Sequence, residues 1–206
     1  MLQVGWGMRE IVPGGPAMVQ GQMHVRIART AMDPLTVTAM AISGERPDGS
    51  PDQALIEALD LAYISPELQD GVRARVAAAC PDLVPDKLFL TATHSHTSLV
   101  YGEGFYPPPT DPEVMTAPEC LAFLIERVSA ACIEAWQQRV AAQMARGFGH
   151  AVVAHNRRPV YADGSAQMYG RPARPDFRVI EGPEDHTVDM IFVWDAAGQL
   201  SGVLLS

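Results

Sequence analysis

Lysine is almost missing from this chain. Of 15 basic residues only Lys87 is not an arginine, and no basic run forms. With 24 acidic residues the formal net charge is −9, which sets the chain against nucleic acid or an anionic membrane surface as a partner. Long apolar runs are lacking too, so no membrane span is expected. The opening residues, Met1-Leu2-Gln3-Val4-Gly5-Trp6-Gly7, do not carry the basic-then-apolar pattern of a secretory leader, and a cytoplasmic location is expected. Cysteine is scarce. Cys120 and Cys132 fall in one predicted helix, 12 positions apart, or about 18 Å along its axis, which is beyond the reach of a disulfide. Free buried thiols in a reducing compartment are the expectation. Repeats, low-complexity tracts and a clear linker are absent.

What is present is ordinary globular material. The 206 residues, 48% hydrophobic and 19% charged, suffice for a single domain with one sizeable core. Leu35 to Ser43 reads as a buried strand and Leu55 to Ile64 as another, with a Gly/Pro/Asp/Ser turn over Gly44 to Asp52 between them. Ser65 has the character of an N-cap, with Pro66 at the first helical position and Glu67 favouring the dipole. Leu68, Val72, Val76 and Ala79 then recur at helical spacing up to Pro81, and the strand leading to His94 follows. This strand, helix, strand order predicts an α/β fold, a mixed β-sheet core flanked by helices.

Gly102 to Pro118 carries five prolines and two glycines and reads as a loop. Tyr101, Phe105 and Tyr106 at its start could cover an apolar substrate, or simply pack. Leu121, Leu124, Ile125, Val128, Cys132, Trp136 and Val140 predict one long amphipathic helix near 118–146, ended by Gly147. Gly149 to His155 reads as a strand. Val188 to Trp194 and Leu200 to Ser206 read as a hairpin about Gly198. Because the last apolar strand runs to Ser206 with no polar tail, we expect the chain to be the front part of a larger domain.

The feature that points to chemistry is His94-Ser95-His96, at the end of the apolar run Leu88 to Ala92. In extended backbone, residues i and i+2 face the same side. Two imidazoles could then meet at one point beyond a strand end, as two metal ligands or as a ligand beside an acid/base group. Three further clusters have alternative explanations. His155-Asn156-Arg157-Arg158 could bind a carbonyl or oxyanion, or form a salt-bridged strand end. Glu181 to His186 includes Asp185 and His186 as candidate metal ligands, but acidic turns before strands are common. Asp60, alone in Ala58-Leu59-Asp60-Leu61-Ala62, is either functional or paired at a sheet end. His24 and His150 read as structural.

Taken in order, these pieces resemble the N-terminal part of the neutral/alkaline (non-lysosomal) ceramidase family. Val4-Gly5-Trp6-Gly7 with Arg9-Glu10-Ile11-Val12-Pro13 looks like the family's opening strand and turn. Gly21 followed by His24-Val25-Arg26 is similar to its next segment, and Asp60 lies in a strand like its Asp-Leu strand. Thr93-His94-Ser95-His96 corresponds to its Thr-His-Thr-His run, and Asn156-Arg157-Arg158-Pro159 resembles its Asn-Arg-Ser-Pro run. Glu181 to Trp194 resembles the acidic segment and strand after it. Thr97 to Tyr101 replaces the family's Gly-rich run after the histidines.

The resemblance implies a zinc-dependent hydrolase that cleaves an N-acyl amide by metal-activated water. His94 matches a zinc ligand, while His96 and Arg157 match substrate-contacting, catalytic residues. Gly21 matches a point of backbone approach to substrate; Asn156 and Tyr101 join it as substrate-binding candidates on the residue readings above, not on the resemblance. Asp60, Asp185 and His186 remain secondary candidates for the metal. The implied partner is a small-molecule or lipid-like amide. A homo-oligomer is left open. The family's remaining ligands would lie beyond Ser206. Two other readings stand beside this one: a divergent metallohydrolase acting on a small polar substrate, and a catalytically silent binding or assembly module.

Overall fold

The structure, a computed structural model, describes residues 1–206. It divides into two compact units, Met1–Ala142 and Gln143–Ser206. The first runs β1 (Gln3–Glu10), β2 (Ala17–Met18), β3 (Ile27–Ala28), β4 (Thr36–Glu45), β5 (Pro51–Leu59), α1 (Pro66–Ala79), β6 (Leu88–Ala92) and α2 (Ala117–Gln137). Strand β7 (Val140–His150) begins there and continues into the second unit. That unit holds β8 (Pro159–Tyr161), β9 (Phe177–Ile180), β10 (Thr187–Asp195) and β11 (Leu200–Leu205). In the first unit the long strands hydrogen-bond in the order β7-β1-β4-β5-β6, with only the start of β7 taking part, and in the second in the order β11-β10-β7. The sheet is mixed: β1–β4 and β4–β5 are antiparallel, and β5–β6 is parallel. This is the expected α/β class.

Period-two alternation sends Val37, Ala39 and Ala41 of β4 and Leu55, Glu57 and Leu59 of β5 into the core. Helix α2 contributes Leu124, Val128, Ala131, Cys132 and Ala135 to the same core. It lies directly on β1. A Cβ on Gly5 would run into the Ala135 carbonyl oxygen, and one on Gly7 into that of Ala131. Helix α1 starts as the sequence predicts: Ser65 Oγ accepts from Leu68 N at 3.3 Å, and Leu68, Val72 and Val76 are buried. Such a cap contributes about 1 kcal/mol. At the start of α2 the Glu119 carboxylate accepts from Thr116 N at 2.8 Å, one half of a capping box. All three cysteines are free and buried.

Several boundaries differ from expectation. The long helix ends at Gln137, not near Arg146, and Val140–His150 is strand. Ala141 to Arg146 are good helix formers, but propensity yields to pairing. Val140 and Ala141 take the register opposite Val4 and Gln3 of β1. Gly147 favours the strand further, since a Cβ there would press on the Phe192 ring of β10. The strand expected over Gly149 to His155 stops at His150, which closes β7 rather than opening a strand. Strand β5 begins at Pro51 and ends at Leu59, so Asp60 lies just past the strand end instead of on it. The closing hairpin is as predicted, with Gly198 at φ 80 in its turn.

Inside the first unit Glu57 is fully buried. Its Oε1 accepts from Cys132 Sγ at 2.6 Å, while Oε2 has no partner. Burial drives its pKa from 4.5 up to about 8, against a smaller lowering by the Cys132 hydrogen bond. Below pH 4.5 the folded and unfolded chains are both protonated here. Between 4.5 and 8 only the folded chain keeps the proton, so stability falls as pH rises through that window.

Two predictions follow from this core. Denaturant unfolding of the wild type should lose stability from pH 5 to pH 8, at up to about 1.4 kcal/mol per pH unit. Glu57→Gln, which stays neutral, should remove most of that slope, and an equal slope in both proteins would exclude Glu57 as its source. Gly7→Ala should cost about 1–3 kcal/mol by forcing α2 off the sheet, read as a lower denaturation midpoint.

Candidate functional site

Parallel pairing of β5 with β6 sends both C-terminal ends to the same sheet edge, and the two chains stay in register beyond it. Thr93 N donates to Leu59 O at 2.9 Å and Ser95 N to Leu61 O at 3.1 Å. Between these bonds His94 adopts φ 61, a left-handed conformation that costs a non-glycine residue about 1 kcal/mol or more. Its ring Nδ1 lies 2.6 Å from Ala62 O. A carbonyl only accepts, so Nδ1 carries the proton and Nε2 is left with its lone pair. That Nε2 is 3.1 Å from His96 Nε2, so His96 is the donor in this pair. The ring centroids are 4.7 Å apart at 79°. The histidines therefore converge as expected, but not by strand alternation. Strand β6 has already ended at Ala92, and the left-handed turn at His94 brings the rings together.

His96 is held from the other side by the segment around Gly21. Gly21 has φ 112, and a Cβ there would collide with the Cα, Cβ and carbonyl oxygen of His96. Glycine is required on both counts. Gln20 N donates to Ser98 O at 2.8 Å and Val100 N to Met18 O at 3.0 Å, which ties the two segments into a short antiparallel contact. Arg26 Nη2 closes it by donating to Gln20 O at 2.7 Å and to His96 O at 2.6 Å. The same segments contribute to the wall of a cavity of about 580 Å³, whose lining includes Val12, Val19, Ile27, Met32 and Leu99.

Asp60 finds its partners at this edge. Its Oδ2 accepts from Thr36 N at 2.9 Å and Thr36 Oγ1 at 3.0 Å, and its Oδ1 from Thr93 Oγ1 at 3.2 Å. Tyr101 is buried instead of lining an open surface. It stacks on Tyr63 at 5.0 Å, donates to Tyr63 O at 2.6 Å, and accepts from Ser65 N at 3.1 Å. Burial pushes its hydroxyl pKa upward. Phe105 is the exposed aromatic of that loop.

The remaining candidates belong to the second unit. Asn156 is a turn-maker: its Nδ2 donates to Glu181 O at 2.9 Å and Pro183 O at 3.2 Å, and its backbone N to Glu184 Oε1 at 2.6 Å. Arg158 pairs with Glu181 at 2.7 Å. Arg157 is exposed, makes no ion pair, and has its guanidinium 5.4 Å from the centre of the Tyr169 ring. His186 and His155 flank Glu184 at 3.6 and 3.9 Å. Asp185 accepts from Thr187 N at 2.9 Å, and that bond holds its carboxyl below the ordinary range. Gly21, Asp60, His94 and His96 are thus brought together in the first unit, while Asn156, Arg157, Asp185 and His186 lie along one stretch of the second.

Nowhere are three His, Cys, Asp or Glu side chains gathered so as to hold a metal ion. His94 still suits part of a zinc site: its Nδ1–H is held by Ala62 O, which leaves Nε2 to bind a metal. It supplies one of four positions. Sequence reasoning missed Arg26 and the Ala62 carbonyl. Arg26 could have been suspected as a cation two residues after His24 in an otherwise polar stretch, whereas a backbone carbonyl leaves no mark in residue type.

No protein-family model matches this chain, and no characterised protein matches it in sequence. Solved structures do match in shape. The neutral ceramidase from Pseudomonas aeruginosa aligns over 99% of this chain and 31% of its own, with TM-score 0.70 and 18% identity. A ceramidase complexed with C2 aligns over 99% of this chain and 30% of its own, with TM-score 0.66 and 16% identity. The chain thus spans less than a third of the length of these ceramidases. At such identities the likeness concerns the fold, and the fold is that of a portion of neutral ceramidase, consistent with the N-terminal one.

Proposed function

We propose that this chain is the front portion of a larger ceramidase-like catalytic domain and carries part of a zinc site for hydrolysis of an N-acyl amide. The observation that carries the reading is His94. Its Nδ1–H is committed to Ala62 O, and its unprotonated Nε2 faces His96 Nε2. Second-sphere bonding of this kind is how proteins orient metal-binding imidazoles. The shared fold and the order of the matching residues support the same reading.

On this reading His94 Nε2 would hold the ion, whose chemistry when bound would be to polarise the acyl carbonyl and lower the pKa of bound water towards about 7. The other ligands would come from the rest of the domain. His96 Nε2 would pass a proton to the departing nitrogen as water adds and the C–N bond breaks, leaving a carboxylate and an amine. Arg157, with no carboxylate partner of its own, would hold a substrate oxygen. The substrate class we assign is a lipid-like N-acyl amide, consistent with the apolar lining of the nearby cavity. Three free buried thiols favour a reducing compartment, hence a cytoplasmic setting. No helix is long and apolar enough to cross a membrane.

Zinc titration against a chelator, on the full-length protein that supplies the remaining ligands, tests the assignment. His94→Ala should weaken zinc binding by more than about 100-fold, since even second-sphere losses reach that level. Arg157→Ala should keep zinc affinity within about threefold while lowering turnover of a long-chain N-acyl amide by about 100-fold. Equal zinc occupancy in wild type and His94→Ala would overturn the reading and favour a silent binding module. Faster turnover of short polar amides than of long-chain ones would favour the small-substrate metallohydrolase.

A further inference from the structure

We infer that Asp60 is a positioning residue for His94, acting through the hydrogen bonds of its carboxylate and not as a metal ligand. The inference rests on the reading of His94 as a metal-binding imidazole only for its consequence in zinc affinity.

Three strand ends meet at Asp60: the start of β4 at Thr36, the end of β5 at Leu59, and the exit of β6 at Thr93. Both carboxylate oxygens are engaged there, Oδ2 by the backbone N–H and hydroxyl of Thr36 and Oδ1 by the hydroxyl of Thr93. Asp60 N returns a bond to Thr36 O at 2.9 Å. The residues on either side of Asp60 do the holding of His94. Leu59 O takes Thr93 N, Leu61 O takes Ser95 N, and Ala62 O takes the imidazole Nδ1. The left-handed conformation of His94 and its Nδ1–H tautomer are therefore imposed by Leu59–Ala62. That short turn, with Leu61 N bonded back to Leu59 O at 2.8 Å, is anchored to the sheet by Asp60. The apolar neighbours Leu59 and Leu61 are fully buried, so the carboxylate is the polar anchor of an otherwise apolar turn. An aspartate that serves as an acceptor for three donors has a test that separates this role from charge or ligation. Asparagine supplies an acceptor for Thr36 and an N–H that the Thr93 hydroxyl can accept, whereas alanine supplies neither.

The experiment compares wild type, Asp60→Asn, Asp60→Ala and Thr93→Val in the full-length protein, with folding checked by circular dichroism. Long-range 1H–15N correlation spectra of the zinc-free proteins read the tautomer of His94, and chelator competition reads zinc affinity. Wild type and Asp60→Asn should show a single Nδ1–H tautomer and zinc affinities within about threefold of each other. Asp60→Ala and Thr93→Val should show mixed tautomers and affinities lower by about 10–100-fold. A wild-type tautomer in folded Asp60→Ala would overturn the inference. So would Asp60→Asn losing zinc as severely as Asp60→Ala, because Asp60 would then act through its charge or as a ligand. Should Asp60→Ala not fold, Thr93→Val decides alone: it removes one hydroxyl at an exposed position, and an unchanged tautomer there overturns the inference. A full-length wild type that binds no zinc would sink the proposed function, yet the tautomer spectra would still decide the role of Asp60.

Discussion

Everything at the candidate site depends on the parallel pairing of β5 with β6. Ala58 lies opposite Thr91 and Leu59 opposite Ala92, and parallel register makes both strands leave the sheet at the same edge. Parallel neighbours cannot be joined by a tight turn, so the chain must cross over through α1. The crossover is in turn secured by Leu68, Val72 and Val76 packing into the common core. Only because the two exits coincide can the backbone after β5 bind the backbone after β6. The bond from His94 Nδ1 to Ala62 O, which sets the lone pair on Nε2, is a side-chain bond that this extended backbone pairing brings within reach.

The same sheet carries two costs that the core must offset. Glycines at 5 and 7 give up side-chain burial so that α2 can rest on the backbone of β1. Glu57 places a carboxyl beneath that helix with one oxygen unpartnered. A buried carboxyl is tolerable when neutral and expensive when charged, so burial and the raised pKa are one fact seen twice. Its thiol neighbour Cys132 is likewise held protonated by burial, with the Glu57 charge adding to the effect. Both groups are thus apolar-like at moderate pH, which is how a polar pair survives in this position.

Elements with strong local signals were legible from residue order. Ser65-Pro66 marks the start of α1, the alternation of β4 marks a strand with one face in the core, and Gly198 marks the final turn. The failures have a common cause. Ala141 to Arg146 looks helical because alanine, glutamine, methionine and arginine favour helix, yet strand pairing wins, beginning with Val140 and Ala141 opposite Val4 and Gln3 of β1. Asp60 looks like a residue on a strand because the apolar pattern continues past Leu59, while the pairing that defines the strand does not. At the site, the residue types His94, His96 and Gly21 were visible. The conformation that makes them meet was not, because a histidine at φ 61 is the result of bonds made by residues more than thirty positions away.

By itself the sequence determined the class of the fold, an α/β arrangement of alternating strands and amphipathic helices, since periodicity and capping are properties of neighbours along the chain. It also singled out the two histidines, because an imidazole pair at the end of an apolar run is written in residue types. Tertiary structure decided what those residues can do. It chose the tautomer of His94, buried Tyr101 against Tyr63 and the N-cap of the first helix, spent the carboxylate of Asp60 on two threonines, and left Arg157 without a charged partner. Each of these depends on which distant backbone or side-chain group stands within about 3 Å, and that distance is set by how the strands pair, not by the order in which residues follow one another.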